Sequence, residues 1–537
     1  MKLSWWMLAE AGLACGLVLS ARLLFHFFQL ESYQFMGYLR TLKRRLVRCL
    51  QPGLLMAAVT LCVALASMAV SGAGEAVLCV AAAVLCPAAG WVVGRSCDEK
   101  KAKKPLAVTP RVKRLLGIST AVLFLLLLPL EAARQAIAAP FARMLPLVLY
   151  PVLLPLLVML GGLAAWPVEK LISELYFRDA QRILREHPDL IRIGITGSYG
   201  KTSVKFILGT LLQERFQVLV TPASFNTPMG LTKVIRTQLQ PSHQIFLAEM
   251  GARHVGDIKE LCRLVHPQMG VLTSVGPQHL DTFHTIDRIK STKYELMDAV
   301  PRDGRCFFPD DGAICLELWG RTAKEKHLCG LRRTEDTEVW AEDVTVGPSG
   351  SRFRLCTRDG SIACETPLLG EHNIQNILLA SMVCLSLGMT LRQIARGMAR
   401  LEPVEHRLQL ISHPGGMTVI DDAFNSNPAS SAKALEVLRQ FPGRRIVVTP
   451  GMVELGTREA ELNRAFGEKM ASCVDIAILV GRKHTEPIAQ GLRGAGFPEE
   501  SLRVTGSLEE ATALLRQLGR PGDTVLFEND LPDNYSE

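Results

Sequence analysis

Aromatic residues make up only 6% of this 537-residue chain, charged residues 21%, and no two of its fourteen cysteines are spaced C-x-x-C. Each scarcity excludes something. Without C-x-x-C pairs or a histidine-rich tract there is no ligand set for a zinc finger or ribbon. The cysteines, six before residue 166 and eight after, read as reduced packing thiols and not as a disulfide framework. A charge content a little below the globular average, with 48% hydrophobic residues, excludes disordered and low-complexity classes. Acidic residues are scarcest in residues 1–166, which hold 17 Lys/Arg against 6 Asp/Glu, a net of +11. The rest of the chain holds 43 and 46, a net of −3, so the overall +8 is no nucleic-acid footprint and no nucleic-acid partner is expected. The basic excess lies among apolar segments, as cytoplasmic membrane loops require.

What the first third does have is long apolar runs, and mean hydropathy over the whole chain is +0.20. Three charge-free runs, 49–74, 76–94 and 144–168, meet or approach the ~20 residues a spanning helix needs. A fourth, 115–130, is shorter but reads STAVLFLLLLPL over most of its length. Residues 3–30 are interrupted by Glu10, Arg22 and His26, so this segment spans, anchors or lies at the interface. It lacks the A-x-A cleavage site of a signal peptide. Arg40, Lys43, Arg44, Arg45 and Arg48 precede the second segment. Arg95, Lys100, Lys101, Lys103, Lys104, Arg111, Lys113 and Arg114 lie between the third and fourth. The positive-inside rule puts both loops, and everything after Val168, in the cytoplasm. Residues 1–168 are therefore expected to be a multi-pass region of four or five transmembrane helices, with membrane lipid as a partner. No charge lies centrally in the four strong runs, so nothing marks a transport path.

An amphipathic linker, 169–190, leads into a region of ordinary composition. Apolar runs at 191–196, 245–249, 270–275, 418–420, 446–449, 474–480 and 524–527 read as buried strands. Helical patterns fall between them, at 201–214, 373–387 and 430–440. The fold class expected is an α-helical transmembrane region followed by α/β, with two parallel sheets meeting near Leu401.

Strand 191–196 runs into Thr196-Gly197-Ser198-Tyr199-Gly200-Lys201-Thr202-Ser203. A glycine turn opening a helix aims backbone N–H groups at phosphate, Lys201 neutralises it, and the Thr202 or Ser203 hydroxyl suits Mg²⁺. The loop, T-G-x-x-G-K-T, is a shorter variant of the standard phosphate loop, with Ile195 where the first glycine would stand. Strand 245–249 ends in Glu249, a carboxylate at the sheet edge where α/β folds bind ligands. A further strand leads to His279 and then Lys293, which gain weight only in this combination.

That combination resembles the Mur ligase family of peptidoglycan assembly, over about 191–480, closest to its D-alanyl-D-alanine-adding branch. The motifs occur in family order: TGSYGKTS (196–203), SFNTPMG (224–230), EMGA (249–252), HLDTF (279–283), GEHNIQN (370–376), DDAFNSNP (421–428) and GMVELG (451–456). The resemblance implies a P-loop-type central ATP-binding domain at 191–400 and a Rossmann-like C-terminal domain at 401–537. It further implies that Gly197, Gly200, Lys201, Thr202, Ser203, Asn373, Asn376, Arg407 and Asp422 hold ATP. Thr202, Glu249, His279 and a carbamylated Lys293 would hold Mg²⁺, two ions in all, with Lys201, His279 and Lys293 catalytic. Asn226, Thr227, Asn425, Asn427 and Glu454 would line the substrate cleft. Arg407 lies in Glu405-His406-Arg407, where the family usually has Gly-Arg.

The implied reaction is ATP-dependent amide ligation through an acyl phosphate, adding an amino acid or a dipeptide such as D-Ala-D-Ala to a cell-wall precursor. Two departures bear on substrates. Soluble family members open with a domain that grips a UDP-sugar, whereas here that place holds apolar spans, so the precursor is nucleotide- or lipid-linked. The tail carries Glu528, Asp530 and Asp533 where the branch tends to be basic, favouring an amine-bearing group. A related ligase for another polymer such as poly-γ-glutamate, and a non-catalytic nucleotide-binding membrane scaffold, are the alternatives.

Overall fold

The structure, a computed structural model, describes all residues except 1, 71–72, 99–104, 138–139, 223–224, 348–349, 413–415, 424–426, 454 and 531–537. Lys100, Lys101, Lys103, Lys104, Asn425, Glu454 and Asp533 therefore lie outside the described residues. The chain forms two compact units, Met1–Glu174 and Leu175–Leu531.

The first unit is helical. Among the described residues four helices are long and apolar enough to cross a membrane: Leu46–Ala69, Gly74–Ser96, Pro110–Leu130 and Leu145–Arg185. The segment interrupted by Glu10, Arg22 and His26 is a pair, Trp5–Ser20 and Arg22–Leu30, bent by 49°. Its interior face packs in the core of this unit, where Glu10 and His26 are buried with Leu13, Leu17, Phe25 and Phe28. Close approach to the helix after Gly74 depends on missing side chains: a Cβ on Gly90 would stand 2.0 Å from the Gly16 carbonyl oxygen. Small residues of this kind let apolar helices pack at backbone distance where no hydrophobic drive joins them. At one end, Arg114 grips Glu169 through two bonds of 2.6 and 2.9 Å. Large apolar side chains such as Leu54, Leu65, Val77, Val84 and Leu85 point outward. The last helix continues without a break through the predicted linker to Arg185.

The second unit holds two sheets. Nine strands make the first: β1 (Ile191–Thr196), β2 (Val218–Val220), β3 (Ile245–Glu249), β4 (Met269–Leu272), β5 (Arg305–Pro309), β6 (Glu325–Gly330), β7 (Val339–Gly347), β8 (Gly350–Thr357) and β9 (Gly360–Thr366). Their order is β2-β3-β1-β4-β5-β6-β7-β8-β9. The strands from β2 to β7 are parallel, whereas β8 and β9 are antiparallel additions. Alternation of side chains sends Ile245 and Leu247 into one core and Phe246 and Ala248 into the other, so the sheet is covered on both faces.

The second sheet has β10 (Gln409–Ser412), β11 (Thr418–Asp422), β12 (Arg445–Thr449), β13 (Ile476–Val480), β14 (Leu502–Thr505) and β15 (Thr524–Glu528), in the order β10-β11-β15-β12-β13-β14. All but β10 are parallel. Of the parallel strands, β1, β3, β4, β11, β12, β13 and β15 were legible as apolar runs, whereas β2, β5, β6, β7 and β14 were not. One ended early: Thr273 and Ser274 leave the ladder after β4 and turn toward the loop that follows β1.

Arg444, just before β12, donates to both oxygens of Asp523, just before β15, at 3.0 and 2.7 Å. Burial alone would raise the Asp523 carboxyl, but the Arg444 hydrogen bonds, the Arg520 N–H and nearby charge bring it below its ordinary value. Its stabilisation is thus present above the ordinary carboxylate range and lost as pH falls through the lowered value. Arg444→Leu should destabilise the unit by about 1–3 kcal/mol at neutral pH. Denaturant melts should show that difference shrinking below about pH 4; a difference independent of pH would contradict the pairing.

Candidate functional site

The parallel registers decide what meets at the sheet edge. Ile195 pairs with Glu249, so the loop leaving β1 and the last residue of β3 emerge side by side. The β1 loop then turns into the helix Lys201–Leu212, with Gly200 at φ 78 directly before it. Gly197 is held against β4's exit, where a Cβ would fall 2.0 Å from Thr273 Oγ1.

Side chains that sequence reasoning did not single out clamp this loop. Ser198 N donates to the Ser274 carbonyl at 2.6 Å, and Ser198 Oγ accepts from Gly276 N at 3.1 Å. Tyr199 Oη donates to the Pro277 carbonyl at 2.7 Å. Thr273 Oγ1 donates to the Tyr199 carbonyl, and Ser274 Oγ does so at 3.2 Å. Only the sheet register brings these residues together, so no local signal marks them.

Lys201 Nζ curls back onto the loop, donating to the carbonyls of Gly197 and Ser198 at 2.7 and 2.9 Å. An ammonium held there sits on the loop that opens the helix, a place where an anion is favoured. Burial lowers its pKa to about 8, with Glu249 opposing and Arg407 adding to the shift.

Glu249 is buried. Its Oε1 accepts from Thr202 Oγ1 at 3.2 Å and from Asn226 Nδ2 at 3.1 Å. Lys205 Nζ stands 3.0 Å from Oε2 as an ion pair. A carboxylate has about four acceptor positions, so Glu249 keeps capacity beside the Thr202 hydroxyl.

Among the described residues no three His, Cys, Asp or Glu side chains cluster as a metal cage. One carboxylate and one hydroxyl next to a phosphate loop instead suit Mg²⁺, which takes few protein oxygens and completes its shell with substrate phosphates and water. The residues therefore fit the ion the motif implies.

The other predicted residues fall as follows. His279 has left-handed backbone, φ 52, and starts the short helix Leu280–Phe283. Lys293, on the helix Ile286–Ala299, is buried, and its pKa falls well below the ordinary value through burial and then through the charge of Lys201. Asn376 lies against the loop, its Oδ1 3.0 Å from where a Cβ on Gly200 would be. Asn373 accepts from Asn376 Nδ2 at 3.4 Å and donates to the Leu369 carbonyl at 2.9 Å. Thr227 and Asn427 spend their side-chain oxygens as helix caps.

From the second sheet comes Asp422, and from the turn before β10 comes Arg407. Burial lowers the Arg407 pKa against the opposing charges of Asp422, Glu249 and Glu528. Burial raises that of Asp422, with Arg407 pulling it down. Asp422 Oδ1 accepts from Leu408 N at 3.2 Å, and Asp422 is register partner of Glu528. His406, in the position where the family usually has glycine, takes φ 59, and its Nδ1 lies 2.7 Å from Asp421 Oδ2. That backbone is one a glycine adopts freely and a histidine rarely does.

Replacing Lys201 with alanine removes a charged donor from this pocket and should weaken ATP binding about 10–100-fold. A bound polyphosphate raises the lysine pKa above its free value near 8. Calorimetry at pH 8.5 in buffers of different ionisation enthalpy should therefore show proton uptake for the wild type and none for Lys201→Ala. Equal heats in all buffers would contradict this.

Comparison with known proteins converges on the same residues. Residues 195–384 match the Mur ligase middle domain, and residues 406–528 match the Mur ligase glutamate ligase domain. The UDP-N-acetylmuramoyl-tripeptide–D-alanyl-D-alanine ligase of Mycobacterium tuberculosis is 32% identical over 359 residues, 63% of this chain and 69% of that protein. The Escherichia coli protein of the same name is 28% identical over 335 residues, 62% and 74% of the two chains. MurF from Acinetobacter baumannii is similar in structure, with a TM-score of 0.61 at 25% identity over 68% of this chain and 78% of that one. The MurF ligase of Thermotoga maritima, solved in complex with ADP, gives 0.60 at 25% identity over 67% and 80%. With its phosphate loop, its Glu249 and both sheets accounted for, this chain belongs to the Mur ligase family of ATP-dependent ligases.

Proposed function

We propose that this chain is a membrane-anchored ligase that uses ATP to join D-Ala-D-Ala to the carboxyl end of a peptidoglycan precursor, with its second unit in the cytoplasm. The observation that carries this reading is the buried Glu249 carboxylate, bonded to Thr202 one residue beyond Lys201, in a chain related to D-alanyl-D-alanine ligases of that precursor. In this reading 191–400 is the ATP-binding domain and 401–537 the domain that brings the amine.

Loop N–H groups and Lys201 hold the β- and γ-phosphates, and Arg407 supplies a second cation from the turn before β10. Asp422 would bind the ribose, and Asn373 and Asn376, the latter beside Gly200, would contact the nucleotide. An acceptor carboxylate oxygen attacks the γ-phosphorus, ADP leaves, and the amine nitrogen then attacks the acyl carbon as phosphate departs. Catalysis of this kind is mainly positioning and charge stabilisation. Thr202, Glu249, His279 and a carbamate on Lys293 would hold Mg²⁺, which supplies relief of the repulsion between the acceptor carboxylate and the phosphates. Lys293 suits carbamylation because burial and the charge of Lys201 favour the unprotonated amine, the form that attacks CO₂ and loses a proton as the N–C bond forms. Asn226, Thr227 and Asn427, with Asn425 and Glu454, would border the substrates.

The four apolar helices favour an acceptor delivered at the membrane. Poly-γ-glutamate is the weaker reading, because a polyanion needs cations and β15 ends instead in Glu528, followed by Asn529 and Asp530.

Detergent-purified protein given ATP, Mg²⁺ and D-Ala-D-Ala, with either UDP-muramoyl-tripeptide or its lipid-linked equivalent, should yield the amide by mass spectrometry, and Lys201→Ala should not. Product from the lipid form alone makes the helical unit part of acceptor recognition; product from neither form overturns the substrate assignment. Lys293→Ala should abolish turnover and recover partly with added short carboxylates; wild-type activity in the variant would remove the carbamate.

A further inference from the structure

Lys205 takes no part in the motifs above, yet it is one of the largest fully buried side chains of the chain. Lysine is almost never fully buried unless paired. It sits one helical turn beyond Lys201 and three residues beyond Thr202, on the same side of the helix as both. Its ammonium stands 3.0 Å from Glu249 Oε2.

A buried ion pair is a poor device for stability alone, because an apolar pair of similar volume does as well or better. Its geometry gives it another use. Three groups from two parts of the chain bear on the Glu249 carboxylate: Thr202 and Asn226 on Oε1, and Lys205, from the same helix as Thr202, on Oε2. Of these, the Thr202 hydroxyl is itself a candidate ion ligand, so it cannot fix the carboxylate and serve the ion equally. Asn226 and Lys205 remain to set its rotation.

We infer that Lys205 is a positioning residue that fixes the Glu249 carboxylate for a divalent cation shared with nucleotide phosphate. The inference rests on the reading of Glu249 as an ion ligand. It makes two effects of removing Lys205 oppose each other. Loss of a nearby positive charge strengthens cation binding, and loss of orientation weakens it. Partners that orient a ligating carboxylate are worth about 10–100-fold in metal affinity or activity, so orientation is expected to prevail.

The test uses the full-length protein, Mn²⁺ as the probe and electron paramagnetic resonance of free Mn²⁺ in the presence of ADP. Lys205→Met should bind Mn²⁺ about 10–100-fold more weakly than wild type, with ADP affinity in EDTA unchanged. Lys205→Arg keeps a charge, and with it the fold, but moves the carboxylate. It should bind Mn²⁺ at least about threefold more weakly, and it carries the test if the methionine variant does not fold. Mn²⁺ affinity equal to or tighter than wild type in either variant overturns the inference. If wild type itself shows no ADP-dependent Mn²⁺ binding, the ion-site reading fails instead.

Discussion

A single buried carboxylate organises the ligase unit. Glu249 is brought to the sheet edge by the pairing of β3 with β1, and everything around it answers the requirement that a buried charge be compensated. Thr202 and Asn226 donate to it, Lys205 pairs with it, and Lys201 and Arg407 feel its charge. Lys205 is set against Glu249, and Arg407 also feels Asp422 and Glu528, so Lys201 on the phosphate loop is the cation best placed for an anion.

The second sheet contributes in the same terms. Asp422 and Glu528 end adjacent parallel strands, and burial raises the Asp422 carboxyl while Arg407 restrains it. Arg407 is held between two residues with left-handed backbone, His406 and Leu408. His406 is anchored by Asp421 and Leu408 by Asp422. The two consecutive aspartates of the DDAFNSNP motif thus fix the loop that carries the arginine. Backbone strain at such a loop persists where surrounding contacts over-determine it.

Much of this was legible in the sequence because parallel strands buried on both faces are continuous apolar runs. Ile191–Thr196 and Ile245–Glu249 were read to the residue. Strands β2, β5, β6 and β14 were missed because each is short or carries charge among its apolar residues, and β7, β8 and β9 because they mix buried and exposed positions at the end of the sheet. Phosphate-loop residues stood out through their spacing and Glu249 through its place at a strand end. Lys205 and the clamp of Ser198, Tyr199, Thr273 and Ser274 did not. A lysine on a helix reads as solvated, and only the register of β1 with β3 and β4 shows what lies opposite. The bent first pair of helices was ambiguous for a related reason: its polar residues interrupt the apolar run, and only packing shows that Glu10 and His26 face inward.

The central claim is that Glu249 is where metal and nucleotide are joined. The most direct measurement is ADP affinity with and without Mg²⁺ for wild type and Glu249→Gln. The account predicts that Mg²⁺ tightens ADP binding to wild type but not to the variant, whose metal-free affinity is equal or higher because a negative charge has been removed. Equal tightening by Mg²⁺ in both proteins would contradict it.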